Sequence, residues 1–331
     1  VRPRAPTWPS SGRAPSSMGA MGWNEAELLR WIARRPRARA LSGSQGHDAA
    51  VLRALRGRPV VCADQVVEGV HAEFDCAGRA LGRKAAGHGI AGILWADLAA
   101  TAAQPVALVL CIAAPLAERA SRLRALIEGV DEKAHEHGAE LVAGDLSSSR
   151  GPLSITVTAL GRFAGRGRPP GRDRARAGEL VLVTGPLGGS RLGRHLDPAP
   201  RFAEAAFLLA NGARALMDVS DGLALDLSRL AAASGVRLEL ERVPVHADAR
   251  RLAQRSGHAA RAHALTDGED HELLATLAPR RWRAVEREAA RRFPRLGVIG
   301  RVHAGRGLAV ADEDGGALRA WDGKGGWIHG G

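Results

Sequence analysis

Apolar and polar positions alternate in two rhythms along this chain, and the rhythm changes often. Residues Val1 to Gly22 are Pro, Ser, Arg and Gly with almost no large apolar side chains. That pattern predicts a disordered basic tail over 1–22 and contains nothing like the apolar centre of a signal peptide; Met18 and Met21 are alternative starts. Leu28, Leu29 and Ile32 then share one helical face, and Pro36 ends that helix. Val60 to Ala63, Val106 to Ile112 and the alternating Leu153 to Leu160 read as strands. Between the last two, Glu118 to His137 has a helical period and stops before Gly138. Gly161 to Gly178 is dense in Gly, Arg and Pro and reads as an interdomain boundary. Beyond it, strands are expected over Glu179 to Thr184, Arg237 to Val243 and Leu296 to Val302. Helices are expected over Phe202 to Ala210, Leu223 to Ala233 and Trp282 to Phe293. Strands and helices mixed in both halves predict an α/β (α+β) protein of two domains, 23–165 and 166–331.

Composition narrows the class. With 45% hydrophobic and 25% charged residues, the 331-residue chain has the balance of a folded domain pair. Its longest apolar stretch, Val106 to Ala117, is broken by Pro115 and falls short of the roughly 20 residues a membrane helix needs. Cys62, Cys76 and Cys111 form no CxxC pair, so a disulfide scaffold is not expected and a reducing cytoplasm is. The formal charge of +12 is almost all arginine, Lys84, Lys133 and Lys324 being the lysines. Tyrosine is absent and aromatics are 4%, so base stacking has little to work with and no nucleic-acid partner is expected.

The candidate chemistry lies in acids placed where strands or apolar runs end. Asp48, Asp64, Asp97, Asp145, Asp218 and Asp221 each sit among small residues. An unpaired carboxylate cannot be buried cheaply, and two of them at about 4 Å repel by roughly 4 kcal/mol at an effective dielectric near 20. Magnesium, a hard cation that takes oxygen ligands and phosphate, would offset such crowding; the alternative is that each acid caps a helix or turns a loop. Asp218 and Asp221 are spaced to share one side of a helical turn, with Ser220 and Gly222 leaving space for a phosphate. Gly268-Glu269-Asp270 has a similar setting before His271-Glu272. Other signals fail: no P-loop or GxSxG occurs, the glycines from Gly185 to Gly193 do not spell GxGxxG, and Ala275 spoils an HExxH. His135 and His137 flank Glu136 on a polar helix end and read as a solvated face.

In order along the chain stand GHDAAVL at Gly46, ADQVVEGVH at Ala63, GRK at Gly82 and ADLAA at Ala96. AGDLSSSRGPLSITVTALG follows at Ala143, then GELVLVTGPLGGSRLGRHLD at Gly178, MDVSDGLALDLSRLAAASGV at Met217, DGEDHELL at Asp267 and GWIH at Gly326. This ordered set resembles the thiamine-monophosphate kinases of the aminoimidazole-ribotide-synthetase-like superfamily, from about Trp23 to the C-terminus. The resemblance implies a two-domain fold whose N-terminal domain (23–165) binds ATP and magnesium and pairs in a homodimer. It also implies ATP-dependent phosphorylation of thiamine monophosphate to thiamine diphosphate. Asp48, Asp64, Asp97, Asp145, Asp218 and Asp221 match metal-binding acids in that family. Gly144, Asp145, Arg172 and Ser220 match nucleotide contacts, while His71, Glu269 and Trp327 match substrate contacts. No covalent residue is implied; direct in-line transfer by positioning and charge neutralisation is expected. The chain departs from the family pattern at His47, Ala63, Leu94, Ala96, Leu146, Arg174 and His271, and Lys84 to Asp97 is several residues longer. The alternatives are a catalytically weakened nucleotide-binding scaffold or another ATP-dependent enzyme of the superfamily.

Overall fold

The computed structural model describes residues 23–36, 38–42, 50, 52–54, 56–70, 83–312, 317–323 and 325–326, without the side chains of 83–86 and 88. Asp48, His71 and Trp327 lie outside the described residues, as does the expected tail. A first helix, α1 (Glu25–Ala33), starts at Asn24, whose side chain accepts from the Glu27 N–H, and buries Leu28.

Four strands form the first sheet: β1 (Arg58–Val67), β2 (Gln104–Pro115), β3 (Glu140–Ser149) and β4 (Ser154–Phe163). Their order is β1-β4-β2-β3, with β2 and β3 parallel and the other neighbours antiparallel. Two helices, α2 (Arg83–Ala100) and α3 (Ala120–Glu136), pack together. In β4 the buried residues alternate strictly, Ile155, Val157 and Ala159 pointing at the helices. They meet Leu94, Trp95 and Leu98 of α2 and Leu123, Ile127 and Val130 of α3 in one apolar core. Trp95 is fully buried, and its indole N–H donates to the Lys133 carbonyl of α3 at 3.3 Å.

Helix α2 had no periodic signature in the sequence because it is apolar nearly all round, as a helix enclosed on several sides must be. Glycines let it approach its neighbours. A Cβ at Gly87 would collide with the Leu126 carbonyl of α3, and one at Gly92 would meet the Pro198 ring at 2.9 Å.

The second sheet has seven strands: β5 (Leu180–Val183), β6 (Leu216–Asp218), β7 (Arg237–Leu240), β8 (Leu273–Leu277), β9 (Gly297–His303), β10 (Gly307–Ala311) and β11 (Leu318–Ala320). Their order is β11-β10-β7-β9-β5-β8-β6, antiparallel throughout except for β10 beside β7. Strand β5 is buried at every position because both faces are covered. One face packs under α5 (Leu223–Ser234) and α7 (Ala260–Thr266), which follows α6 (Ala247–Ser256). The other packs under α4 (Phe202–Ala210) and α8 (Pro279–Arg292), joined by Ala99 and Ala100 from the end of α2. Helix α2 therefore belongs to both layers. The mixed α/β architecture is the one the sequence predicts, and no strand lies between Phe163 and Leu180, the stretch holding the expected boundary.

Replacing Trp95 by Ala removes the largest fully buried side chain where α2 meets α3. It should lower unfolding free energy by about 3–5 kcal/mol, measured by urea denaturation, with the slope of the transition unchanged.

Candidate functional site

Three elements deliver acids to the seam between the layers. Asp64 comes from β1, Asp97 from α2 near the point where that helix reaches the second sheet, and Asp218 from the end of β6. Their charges reach one another. Burial, then the charges of Asp218 and Asp64, push the Asp97 carboxyl up to about 7, with His271 and Arg172 opposing. The Cys62 thiol, donating to the Leu94 carbonyl at 3.7 Å, is also pushed up by burial and by Asp97 and Asp64. Asp64, Asp218 and Arg172 thus lie within electrostatic reach of Asp97.

The Asp218-Val-Ser-Asp-Gly222 element is a strand-to-helix turn rather than the helical turn its spacing predicts. Asp218 closes β6, and Gly222, at φ 115, turns the chain before α5 begins. A non-glycine residue is strained at that φ, so helix cannot run back through it. Nor are the backbone N–H groups beside Ser220 open for phosphate: those of Ser220 and Asp221 donate to Asp226 Oδ2 at 3.1 and 3.0 Å. Asp226 is buried, which pushes its carboxyl up to about 6 despite the backbone bond. Arg229 then pairs with both Asp221 and Asp226. Asp221 therefore lies beside the cluster with a cation already on it.

Glu269 is drawn alongside Ser220 by a second turn. Its N–H donates to the Ser220 carbonyl at 2.7 Å, and that of His271 donates to the Val219 carbonyl at 2.8 Å. Gly268, Glu269 and His271 all have φ between 51° and 74°, an unfavourable state for the two that are not glycine. The turn is clamped: Asp270 accepts from the Gly188 N–H and pairs with Arg194, Asp267 accepts from the Gly189 N–H, and Ser190 Oγ donates to the Gly268 carbonyl. The glycine-rich stretch after β5 is thus the backstop of Glu269. His271 Nε2 lies 3.2 Å from Glu269 and Nδ1 lies 3.9 Å from Asp218. Burial pulls this imidazole down, but its pairing with Asp218 and Glu269 outweighs that and raises it to about 10. Correspondingly, burial raises Glu269, yet His271 holds it below the ordinary carboxylate range.

Asp145 and Gly144 stand apart. The register aligns Asp64, Val157, Leu110 and Gly144 in one row across the sheet, and Gln65, Thr156, Cys111 and Asp145 in the next. Adjacent rows face opposite ways, so Asp145 points to the face away from α2, three strands and ~14 Å from Asp64. It is exposed there. A Cβ at Gly144 would strike the Leu110 carbonyl.

Among the described residues no three His, Cys, Asp or Glu side chains are arranged to hold one ion by themselves. Magnesium nevertheless fits what is present. The donors are hard oxygens, and this ion ordinarily takes only one or two carboxylates, completing its shell with water and phosphate. Sequence reasoning missed Asp226, Arg229 and the Asp267–Asp270 clamp. The first two are legible only as an acid in the first turn of α5 and a base three residues later.

A sheet backed by two helices, joined along a shared helix to a second α/β layer with acids at the seam, defines an AIR-synthase-like protein. The family described as AIR synthase related protein, N-terminal domain, matches residues 46–163. A thiamine-monophosphate kinase of Rhodopirellula baltica is 41% identical over 67% of this chain and 69% of its own. One from Mycobacterium tuberculosis is 35% identical over 89% of this chain and 87% of its own. Among solved structures, AaThiL complexed with AMPPCP and TMP superposes with a TM-score of 0.71 at 27% identity, covering 95% of this chain and 99% of that one. The chain belongs to the thiamine-monophosphate kinase family and is an enzyme of that family.

Because the folded-state carboxyl of Asp97 lies near 7 rather than 3.8, the folded state holds its proton more tightly than the unfolded state does. Its contribution to stability therefore declines as pH rises from about 4 to about 7. In metal-free buffer, Asp97→Asn should raise stability at pH 8 by on the order of 1 kcal/mol or more. The gain should vanish near pH 4, as read from melting curves at both pH values.

Proposed function

We propose that this enzyme transfers the γ-phosphoryl group of ATP to the phosphate of thiamine monophosphate, giving thiamine diphosphate in the last step of its biosynthesis. The observation that carries the reading is the seam, where burial, and then the charges of Asp218 and Asp64, push Asp97 up to about 7. Such a site repels anions by itself and accepts them with divalent cations, which is what two phosphate-bearing substrates require. The names of the relatives and the AMPPCP and TMP of the AaThiL complex support the same pair of substrates.

The residues divide the work. Asp64, Asp97 and Asp218 would hold Mg2+, with Asp48, Asp145 and Asp221 as further ligands. When bound, the ions neutralise charge on the transferring phosphoryl group. Arg172, whose charge already reaches Asp97, orients the nucleotide with Gly144, Asp145 and Ser220. Glu269, held by the clamped turn, positions the thiamine moiety with His71 and Trp327. Asp226 fixes the Ser220–Asp221 backbone, and Arg229 holds the Asp221 carboxylate near its working place. No side chain needs to become covalently attached, so transfer is direct and in line.

Asp145 reaches this site only if another chain supplies it, and the exposed face that carries it supports a homodimer. Val61, Val109, Leu160 and Cys111 lie on that face, opposite the helices, and a sheet face carrying such residues is ordinarily buried against another layer. No helix among the described residues is long and apolar enough to cross a membrane. The free thiols Cys62 and Cys111 suit a reducing cytoplasm.

The test is purified protein with ATP and thiamine monophosphate, thiamine diphosphate being read by fluorescence after oxidation. Product should form with Mg2+ and not with EDTA, and Asp218→Asn should cut kcat by about 100-fold or more. ATP binding without product would establish the scaffold reading instead. Acid-quenched turnover mixtures with labelled ATP should leave no label on the protein, and a trapped phosphoprotein would refute in-line transfer.

A further inference from the structure

The second layer has another charged concavity, at the opposite end of its strands from the acids. Strand β6 runs from beside Arg214 to Asp218, ~13 Å for four extended steps. Strand β8 leads from His271 to Ala278, and β5 starts just after Glu179. At this far end lies a cavity of about 500 Å³, and five of its twelve lining residues are arginine: Arg168, Arg174, Arg176, Arg214 and Arg281.

These arginines are not a neutralised network. Arg168 pairs with Asp173 at 2.6 Å, and Arg174 donates to the carbonyls of Arg168 and Pro169, which holds this arm of the cavity in shape. Among the described residues, no carboxylate lies within ion-pair distance of the guanidinium of Arg176, Arg214 or Arg281. The one acid in the lining, Glu179, is buried, and its Oε2 already accepts from Thr276 Oγ1 at 2.6 Å and from the Arg176 N–H at 3.0 Å. The N-terminal end of α8 opens on the same space through Ala278 and Arg281, with no side-chain cap and no acid in its first turn. The guanidiniums of Arg176, Arg214 and Arg281 converge here from three separate stretches of chain, none of them ion-paired to a described carboxylate, and a concave wall focuses their field.

We propose that this cavity is a second anion site, for a small molecule bearing a diphosphate or oligophosphate group, separate from the acidic seam. Planar guanidinium forks match phosphate oxygens two at a time, so three unpaired ones select a multivalent phosphate over a single carboxylate. The volume lies within the range of ordinary small-ligand sites. A strand ladder separates the two ends of the layer, so one ligand cannot serve both.

The two sites differ in their need for metal, and that makes the test. In EDTA the acidic seam repels a bare phosphate anion, whereas the arginine cavity attracts it. Titration calorimetry of the full chain with inorganic pyrophosphate in EDTA should give one saturable site per chain. Arg214→Ser with Arg281→Ser should weaken it at least tenfold, with the far-ultraviolet dichroism unchanged. Asp218→Asn should leave it intact, and so should Arg283→Ser with Arg287→Ser, exposed arginines on α8 outside the cavity. Absence of saturable binding would overturn the proposal. So would equal loss in the Arg283 and Arg287 pair, which would mean attraction by overall charge alone.

Discussion

Mutual repulsion among Asp64, Asp97 and Asp218 is the constraint that the rest of the molecule is arranged to withstand. Each acid arrives from a different element; His271 near Asp218 and the charge of Arg172 offset only part of the field at Asp97. What holds the acids in place is packing elsewhere. Helix α2 contributes Leu94, Trp95 and Leu98 to one core and Ala99 and Ala100 to another, so Asp97 cannot retreat without disturbing both layers. The two turns that present Asp218 and Glu269 are tied to each other through Ser220 and Val219 and to the glycine-rich stretch through Asp270. Stability is spent at the seam and recovered in the cores, the usual relation between a binding site and its scaffold.

Much of this was legible beforehand. Phe202 to Ala210 is a helix over the residues expected, because its apolar face and its capping by Asn211 are local. The strands after Val106, Leu153 and Glu179 are present too, since alternation or a short apolar run reports burial directly. Asp64, Asp97 and Asp218, whose charges reach one another, stood out because each lies at the end of an apolar run in the sequence; Asp145 shares that sequence setting but sits on the other sheet face. Helix α2 was not legible, since its glycines answer to partners distant in the chain, among them Leu126 and Pro198. Strand β3 was hidden by its run of Ser residues, which alternate between the two faces of an edge strand and bring no apolar side chain to either. Asp218 and Asp221 misled in a different way: spacing of three fits a helix or a turn equally, and only Gly222 decides between them.

The His271 position shows how a departure from a family pattern acquires a physical role. A neutral hydroxyl there could donate one hydrogen bond; the imidazole brings a full charge between Asp218 and Glu269. It thereby links the residue expected to hold metal with the residue expected to hold substrate. Its left-handed backbone, shared with Glu269, shows that the turn is held by its clamp rather than by its own preference.

The sulfur of Cys62 draws one more consequence from the same field. Thiolate is the form that alkylating agents and peroxides attack. Half-buried and under the charge of Asp97 and Asp64, Cys62 keeps its proton, so the arrangement proposed to gather cations also passivates the cysteine nearest the chemistry. Cys111 lies on the opposite, open face of the same sheet.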